Sequence, residues 1–150
     1  MPSAEDQVSS GDRPAVGNGS TPAVFVVDDD PGTLELLCEV AREAGWEAHP
    51  FRRLMDLRAS LDRSRPTLLI VDDDLPDGRG GDLVRELRRD ERMANTPMLV
   101  CTAAHPLRQA EIGSWAPVVS KPFRLAEIAA VLEAAARLHR RSDIYGGRAE

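Results

Sequence analysis

Four short apolar runs in this chain each lead into a group that can bind a cation or handle a phosphoryl group. Ala23–Val27 runs into Asp28 and Asp29, and Thr67–Val71 runs into Asp72, with Asp73 and Asp74 behind it. Met98–Cys101 ends at Thr102, and Val118–Val119 leads to Lys121, the one lysine in a chain whose other basic residues are all arginine. If these ends meet, Asp28, Asp29 and Asp72 crowd three like charges, which raise one another's pKa unless compensated. Lys121 cancels one charge, and a divalent cation cancels the remaining two. Ligands that are all oxygen suit Mg²⁺, with Mn²⁺ as the alternative. Mg²⁺ keeps several waters and works beside phosphates, so the group points to phosphoryl chemistry. Asp72 is then a candidate nucleophile forming an aspartyl phosphate. The metal and Lys121 would neutralise phosphoryl oxygens during in-line transfer, and Thr102 would donate a hydrogen bond to the product.

The elements that must position these groups follow from periodicity. Ala23–Val27 is a β-branched apolar run, the mark of a strand buried on both faces. Asp30 is a candidate N-cap with Pro31 in the first helical turn, and Leu34, Leu37, Val40, Ala41 and Ala44 recur at helical spacing until Gly45. Trp46–Phe51 reads as a second strand weakened by Pro50, and Leu54, Leu57 and Leu61 mark a second helix. The third strand precedes a helix carrying Leu83, Val84 and Leu87, which fades near Arg92. The fourth strand opens after Pro97 and the fifth is short. Leu125, Ile128, Val131, Leu132, Ala135 and Leu138 define a long amphipathic last helix. Strand–helix alternation of this kind predicts an α/β fold, a doubly wound five-stranded parallel sheet with helices on both faces. In such sheets function sits beyond the carboxyl ends of the strands, at the switch point of strand order, where the polar groups lie.

Bulk properties narrow the class. At 150 residues the chain fits one domain with tails. Residues 1–21 are polar and rich in Ser, Gly, Pro and Asp, and read as a disordered leader. The domain is expected over 22–141, with a flexible tail over 142–150. A net charge of −6 argues against a dedicated nucleic-acid surface. No apolar run approaches the roughly 18 residues of a membrane span, and no signal pattern opens the chain. Cys38 and Cys101 are far apart in apolar contexts without metal spacing, and read as core thiols of a reducing compartment. A cytoplasmic protein without nucleic-acid or membrane partners is expected.

Taken in order, Val26-Val27-Asp28-Asp29-Asp30, Val71-Asp72 with Pro76 and Gly80, Cys101-Thr102-Ala103 and Lys121-Pro122-Phe123 resemble the receiver-domain motifs of two-component response regulators. Each motif is weak alone, but their order and strand-end placement are specific. The resemblance covers roughly residues 23–140. It implies the flavodoxin-like topology, with Asp72 as phosphoacceptor, because Pro76 and Gly80 keep the family spacing to Asp72 and not to Asp73 or Asp74. It also implies that Asp28 and Asp29 are the metal-binding pair, that the backbone carbonyl of Asp74 is a further ligand, and that Lys121–Pro122 is cis. A histidine kinase or histidine phosphotransfer protein would be the donor, and an unidentified downstream protein the target. A stand-alone, single-domain type is expected, with output by protein–protein contact and no turnover enzyme activity.

Three departures from the pattern stand out. The aromatic residue usual three positions before the lysine is replaced by Val118, and Trp115 is the nearest ring in sequence. The segment between Thr102 and Lys121 is short, and Pro106 and Gly113 bracket a fourth helix expected to be short or absent. Asp73 and Asp74 add negative charge beside the acceptor, which would either strengthen metal binding or repel incoming groups. These departures keep a second reading open, a degenerate receiver that binds proteins without phosphorylation. A phosphatase of the haloacid-dehalogenase type, suggested by the Asp72-Asp73-Asp74 run, lacks the acidic pair it would need beyond Lys121. His105, just past Thr102, is expected to be a loop histidine.

Overall fold

The computed structural model describes residues 20–149; the expected leader falls outside them apart from Ser20 and Thr21. Five parallel strands form one sheet: β1 (Ala23–Val27), β2 (Glu47–Phe51), β3 (Leu68–Asp72), β6 (Met98–Thr102) and β7 (Val118–Ser120). Their order is β2-β1-β3-β6-β7, so the winding direction reverses between β1 and β3. A two-stranded antiparallel hairpin, β4 (Asp74–Leu75) and β5 (Gly78–Arg79), follows β3 directly. The helices are α1 (Pro31–Glu43), α2 (Leu54–Leu61), α3 (Gly80–Leu87), α4 (Pro106–Gly113) and α5 (Leu125–Ala149).

Strand residues alternate cleanly between two cores, as the two-residue period of a pleated strand requires. Val24, Val26, Leu68, Ile70, Leu99 and Cys101 join α1 (Leu34, Leu37, Cys38, Ala41) and α5 (Ile128, Leu132, Ala135) on one face. Phe25, Val27, Leu69, Val71, Met98 and Val100 join α2 (Leu54, Leu57, Leu61), α3 (Leu83, Val84, Leu87) and Ile112 of α4 on the other. Both faces of β3 and β6 are covered, which explains their unbroken apolar sequence.

Local chemistry accounts for most boundaries. The Asp30 carboxylate accepts from Thr33 N at 2.9 Å and caps α1, and Gly45, with φ of +93°, lets the chain leave it. Pro50 is tolerated because β2 is an edge strand. The fourth helix is present and short, eight residues, with His105 Nδ1 accepting from Leu107 N at 3.0 Å as its cap. The turns after α3 carry Met93 fully into the core, closing a segment that looks merely polar in sequence. The last helix continues through Ala149, into residues that the sequence leaves unread beyond a tail. Both cysteines are free and buried, as expected.

Candidate functional site

The parallel register lines up the polar strand ends. Val27 pairs with Val71, Asp72 with Cys101, and Thr102 with Ser120, so Asp28, Asp72, Thr102 and Lys121 emerge at one edge of the sheet. Lys121 N donates to Thr102 O at 2.9 Å, which seats the lysine beside the end of β6. The Lys121–Pro122 peptide is cis, as the resemblance implies. Glycine at 80 is demanded by packing: a Cβ there would overlap the Asp72 carbonyl oxygen and the Val71 side chain. The start of α3 is thereby pressed against the backbone of Asp72.

The three expected carboxylates meet. Asp28, Asp29 and Asp72 each offer an oxygen within 4.8 Å of the others; Asp28 and Asp72 are buried and Asp29 is exposed. Lys121 Nζ lies 2.8 Å from Asp28 Oδ2 and 3.6 Å from Asp72 Oδ2. Burial, together with the Asp28 charge, pushes the Asp72 carboxyl up to about 6, with Lys121 pulling the other way. Burial works against the Lys121 charge, but the Asp28 hydrogen bond and the two carboxylates outweigh it and raise its pKa. Three acids facing one ammonium leave an excess negative charge, on oxygens only, at the mouth of a cleft of about 380 Å³. That donor set fits a hard divalent cation such as Mg²⁺. Thr102 is buried, and its Oγ1 accepts from Ala104 N at 2.9 Å, which leaves the hydroxyl proton free to be donated.

The two extra acids separate. Asp74 is exposed on the cleft rim, its N–H 3.4 Å from Asp72 Oδ1. Asp73 is buried, and its charge is answered by Arg108, Nε to Oδ2 at 3.0 Å and Nη2 to Oδ1 at 2.9 Å, and by Gly81 N at 2.9 Å. Burial alone would raise the Asp73 pKa, but the Arg108 and Gly81 hydrogen bonds lower it instead. The added charge expected beside the acceptor therefore comes from Asp74 alone. Arg108 also reaches Asp82 at 3.0 Å and Glu111 at 3.1 Å, tying α4 to α3. The sequence gives no warning of this pair, because its partners lie 35 positions apart.

Trp115 does not stand in for the missing ring. Its Nε1 donates to Gly81 O at 2.8 Å, and Arg85 stacks on its indole at 4.7 Å, so it braces the start of α3. Val118 packs partly buried against the core on the α3 side.

A doubly wound sheet with this acidic switch-point cleft and a lysine at its fifth strand defines a class of signalling module, and comparison with known proteins agrees. The family profile "Response regulator receiver domain" matches residues 24–133. The chain belongs to that family, in which phosphorylation and Mg²⁺ are typical. The transcriptional regulatory protein GltR of Pseudomonas aeruginosa is 30% identical over 128 residues, 83% of this chain and 53% of that protein. The chain spans about half the length of the curated relatives it matches. The fold is shared with the chemotaxis response regulator CheY4 of Vibrio cholerae (TM-score 0.70, 21% identity, 77% of this chain and 99% of that one). It is shared also with the BeF3-activated DrrB receiver domain (TM-score 0.67, 22% identity, 78% and 98%). Among the described residues, no helix is long and apolar enough to cross a membrane.

Proposed function

We propose that this receiver accepts a phosphoryl group on Asp72 from a histidine kinase or histidine phosphotransfer protein, in a Mg²⁺-dependent step in the cytoplasm. It passes the signal on by contact with another protein. The observation that carries this reading is the convergence of Asp28, Asp29 and Asp72 within 4.8 Å, with Lys121 Nζ 3.6 Å from Asp72. A carboxylate oxygen of Asp72 attacks the donor phosphorus, and the bond from phosphorus to the leaving nitrogen or oxygen breaks. The electron pair departs with the leaving group, which takes its proton from solvent. Asp28, Asp29 and Asp72 would hold the Mg²⁺, with the Asp74 carbonyl as a further ligand, and when bound the ion neutralises phosphoryl oxygens. Lys121 exchanges its contact with Asp72 for one with the new phosphoryl group, and Thr102 donates its hydroxyl proton to a phosphoryl oxygen. On this reading the phosphoryl group ends on the protein's own Asp72, which makes the protein a stoichiometric acceptor rather than a turnover enzyme.

Several relatives are named as transcriptional regulators, and the match covers only about half of each. A net charge of −6 supports assigning protein contact, not DNA contact, to the receiver. The second reading, a receiver that binds partners without phosphorylation, draws its support from Val118 at the usual aromatic position. Intact-protein mass spectrometry after incubation with acetyl phosphate and Mg²⁺ separates the two. A phosphoryl adduct on wild type, missing from Asp72→Ala and from a metal-free control, is expected. A folded, Mg²⁺-binding wild type with neither adduct nor beryllofluoride binding would favour the second reading.

A further inference from the structure

We propose that Arg79 is a second phosphoryl-contacting cation of the acceptor cleft, resting on the reading of Asp72 as acceptor. Arg79 lines the same cleft as Asp72, Thr102 and Lys121, and the only cations on that lining are Arg79 and Lys121. The two stand in different conditions. Lys121 is already engaged by Asp28 and Asp72. Arg79 has one anion near it, Asp73 Oδ2 at 3.9 Å, and makes no side-chain hydrogen bond among the described residues. Asp73 has no need of it, since Arg108 and Gly81 N already occupy both carboxylate oxygens. No ion pair joins Arg79 to Asp74, although the hairpin sets the two opposite each other. Its guanidinium is thus held only by this one long ion pair, 61% exposed at the rim, on a backbone fixed between β4 and α3.

Charge supplies the need for such a group. A divalent cation and Lys121 together balance the three resting carboxylates. Phosphorylation replaces the single charge of Asp72 with close to two on a group bearing three strong acceptor oxygens, which leaves about one negative charge in excess. Asp74 on the same rim adds to that excess. A guanidinium presents five donors in a planar fork that suits phosphoryl oxygens, and its long side chain can swing to them without moving the hairpin. Arg79 takes no proton and breaks no bond; it offsets the charge of the donor phosphoryl and then of the aspartyl phosphate.

This role has an electrostatic signature that a structural role lacks. A cation beside the metal position repels Mg²⁺ and attracts phosphoryl, so its removal should move the two affinities apart. The experiment compares wild type, Arg79→Ala and Arg79→Lys. Calorimetry with MgCl₂ alone gives the metal affinity. Acetyl phosphate at saturating Mg²⁺ gives the phosphorylation rate, and beryllofluoride gives the affinity for a phosphoryl mimic. Arg79→Ala should slow phosphorylation and weaken beryllofluoride binding roughly three- to tenfold, the scale of one partly exposed charge-assisted contact. Mg²⁺ affinity should stay level or tighten, and Arg79→Lys should fall between. Unchanged phosphoryl readouts in Arg79→Ala, or a loss of Mg²⁺ affinity in parallel with them, would overturn the assignment. A wild type that takes neither phosphoryl nor beryllofluoride would instead sink the acceptor reading itself.

Discussion

Arg108 grips Asp73 through two parallel hydrogen bonds of 3.0 and 2.9 Å, one residue away from the acceptor Asp72. The pair crosses from α4 to the end of β3. It fixes a helix of only eight residues to the strand that carries the acceptor, and through Asp82 it holds the start of α3 as well. Removing one partner of a nearly buried pair leaves the other charge without compensation. Asp73→Ala and Arg108→Ala should each destabilise the fold by about 2–4 kcal/mol. Their effects should be strongly non-additive in a double-mutant cycle read by urea denaturation, whereas Arg79→Ala, at an exposed side chain, should cost well under 1 kcal/mol by general experience with surface sites.

The two adjacent acids Asp72 and Asp73 should respond to pH with opposite signs. Asp73 is held below the ordinary carboxylate range, so the unfolded chain binds its proton first as pH drops. Its contribution is present above the ordinary value of 3.8 and is lost as pH falls through the lowered folded value. Asp72 is pushed up to about 6, so without metal the folded chain keeps that proton longer than the unfolded one. Between about 4 and 6, metal-free stability should therefore fall as pH rises, by on the order of 2 kcal/mol. Denaturation in EDTA across pH 3–7 tests this, and Asp72→Asn should flatten that limb and be the more stable protein at pH 7. An Asp72→Asn curve parallel to wild type would contradict it.

Gly80 should not accept even one methyl group. A Cβ would collide with the Asp72 carbonyl and with Val71, both of them backbone-anchored in the central strand. Gly80→Ala should cost about 3 kcal/mol or more, and should reduce phosphorylation by displacing the acceptor loop. Thermal melting and the acetyl-phosphate assay read the two effects. A Gly80→Ala protein with wild-type melting and phosphorylation would show that the contact relaxes freely.

The thiols should be silent in the native protein. Burial pushes Cys101 up to about 12 and raises Cys38 as well, and both are buried. An aromatic disulfide reagent at pH 8 should find no reactive thiol until the chain is denatured, and then two.

The strand ends were legible because each carries its own local signal. An apolar β-branched run closing on Asp72 or Thr102 states both the element and its polar terminus, and parallel alternation places every terminus on one edge. Asp30 and Gly45 were legible for the same reason, since capping chemistry acts within three or four residues. What stayed hidden depends on partners distant in sequence. Arg108 is one arginine among many, and nothing near it points to Asp73. Met93 sits among polar neighbours, and only the closed turn shows that it fills the core. Residues 142–149 lack the apolar period of the earlier part of α5, so their continuation as helix had no pattern to announce it.

The cap of α2 comes from elsewhere in the chain. Arg53 provides no side-chain cap; Leu54 N and Met55 N instead donate, each at 2.9 Å, to Asp77, which lies beyond β3. A helix that precedes the acceptor strand is thus completed by a residue that follows it. The chain is consequently laced rather than stacked: a cut anywhere in 62–67 would yield two fragments, one with an unfinished helix and the other with a carboxylate lacking its amides. Such fragments should regain order only by finding each other, which makes this turn a natural place to divide the protein for complementation assays.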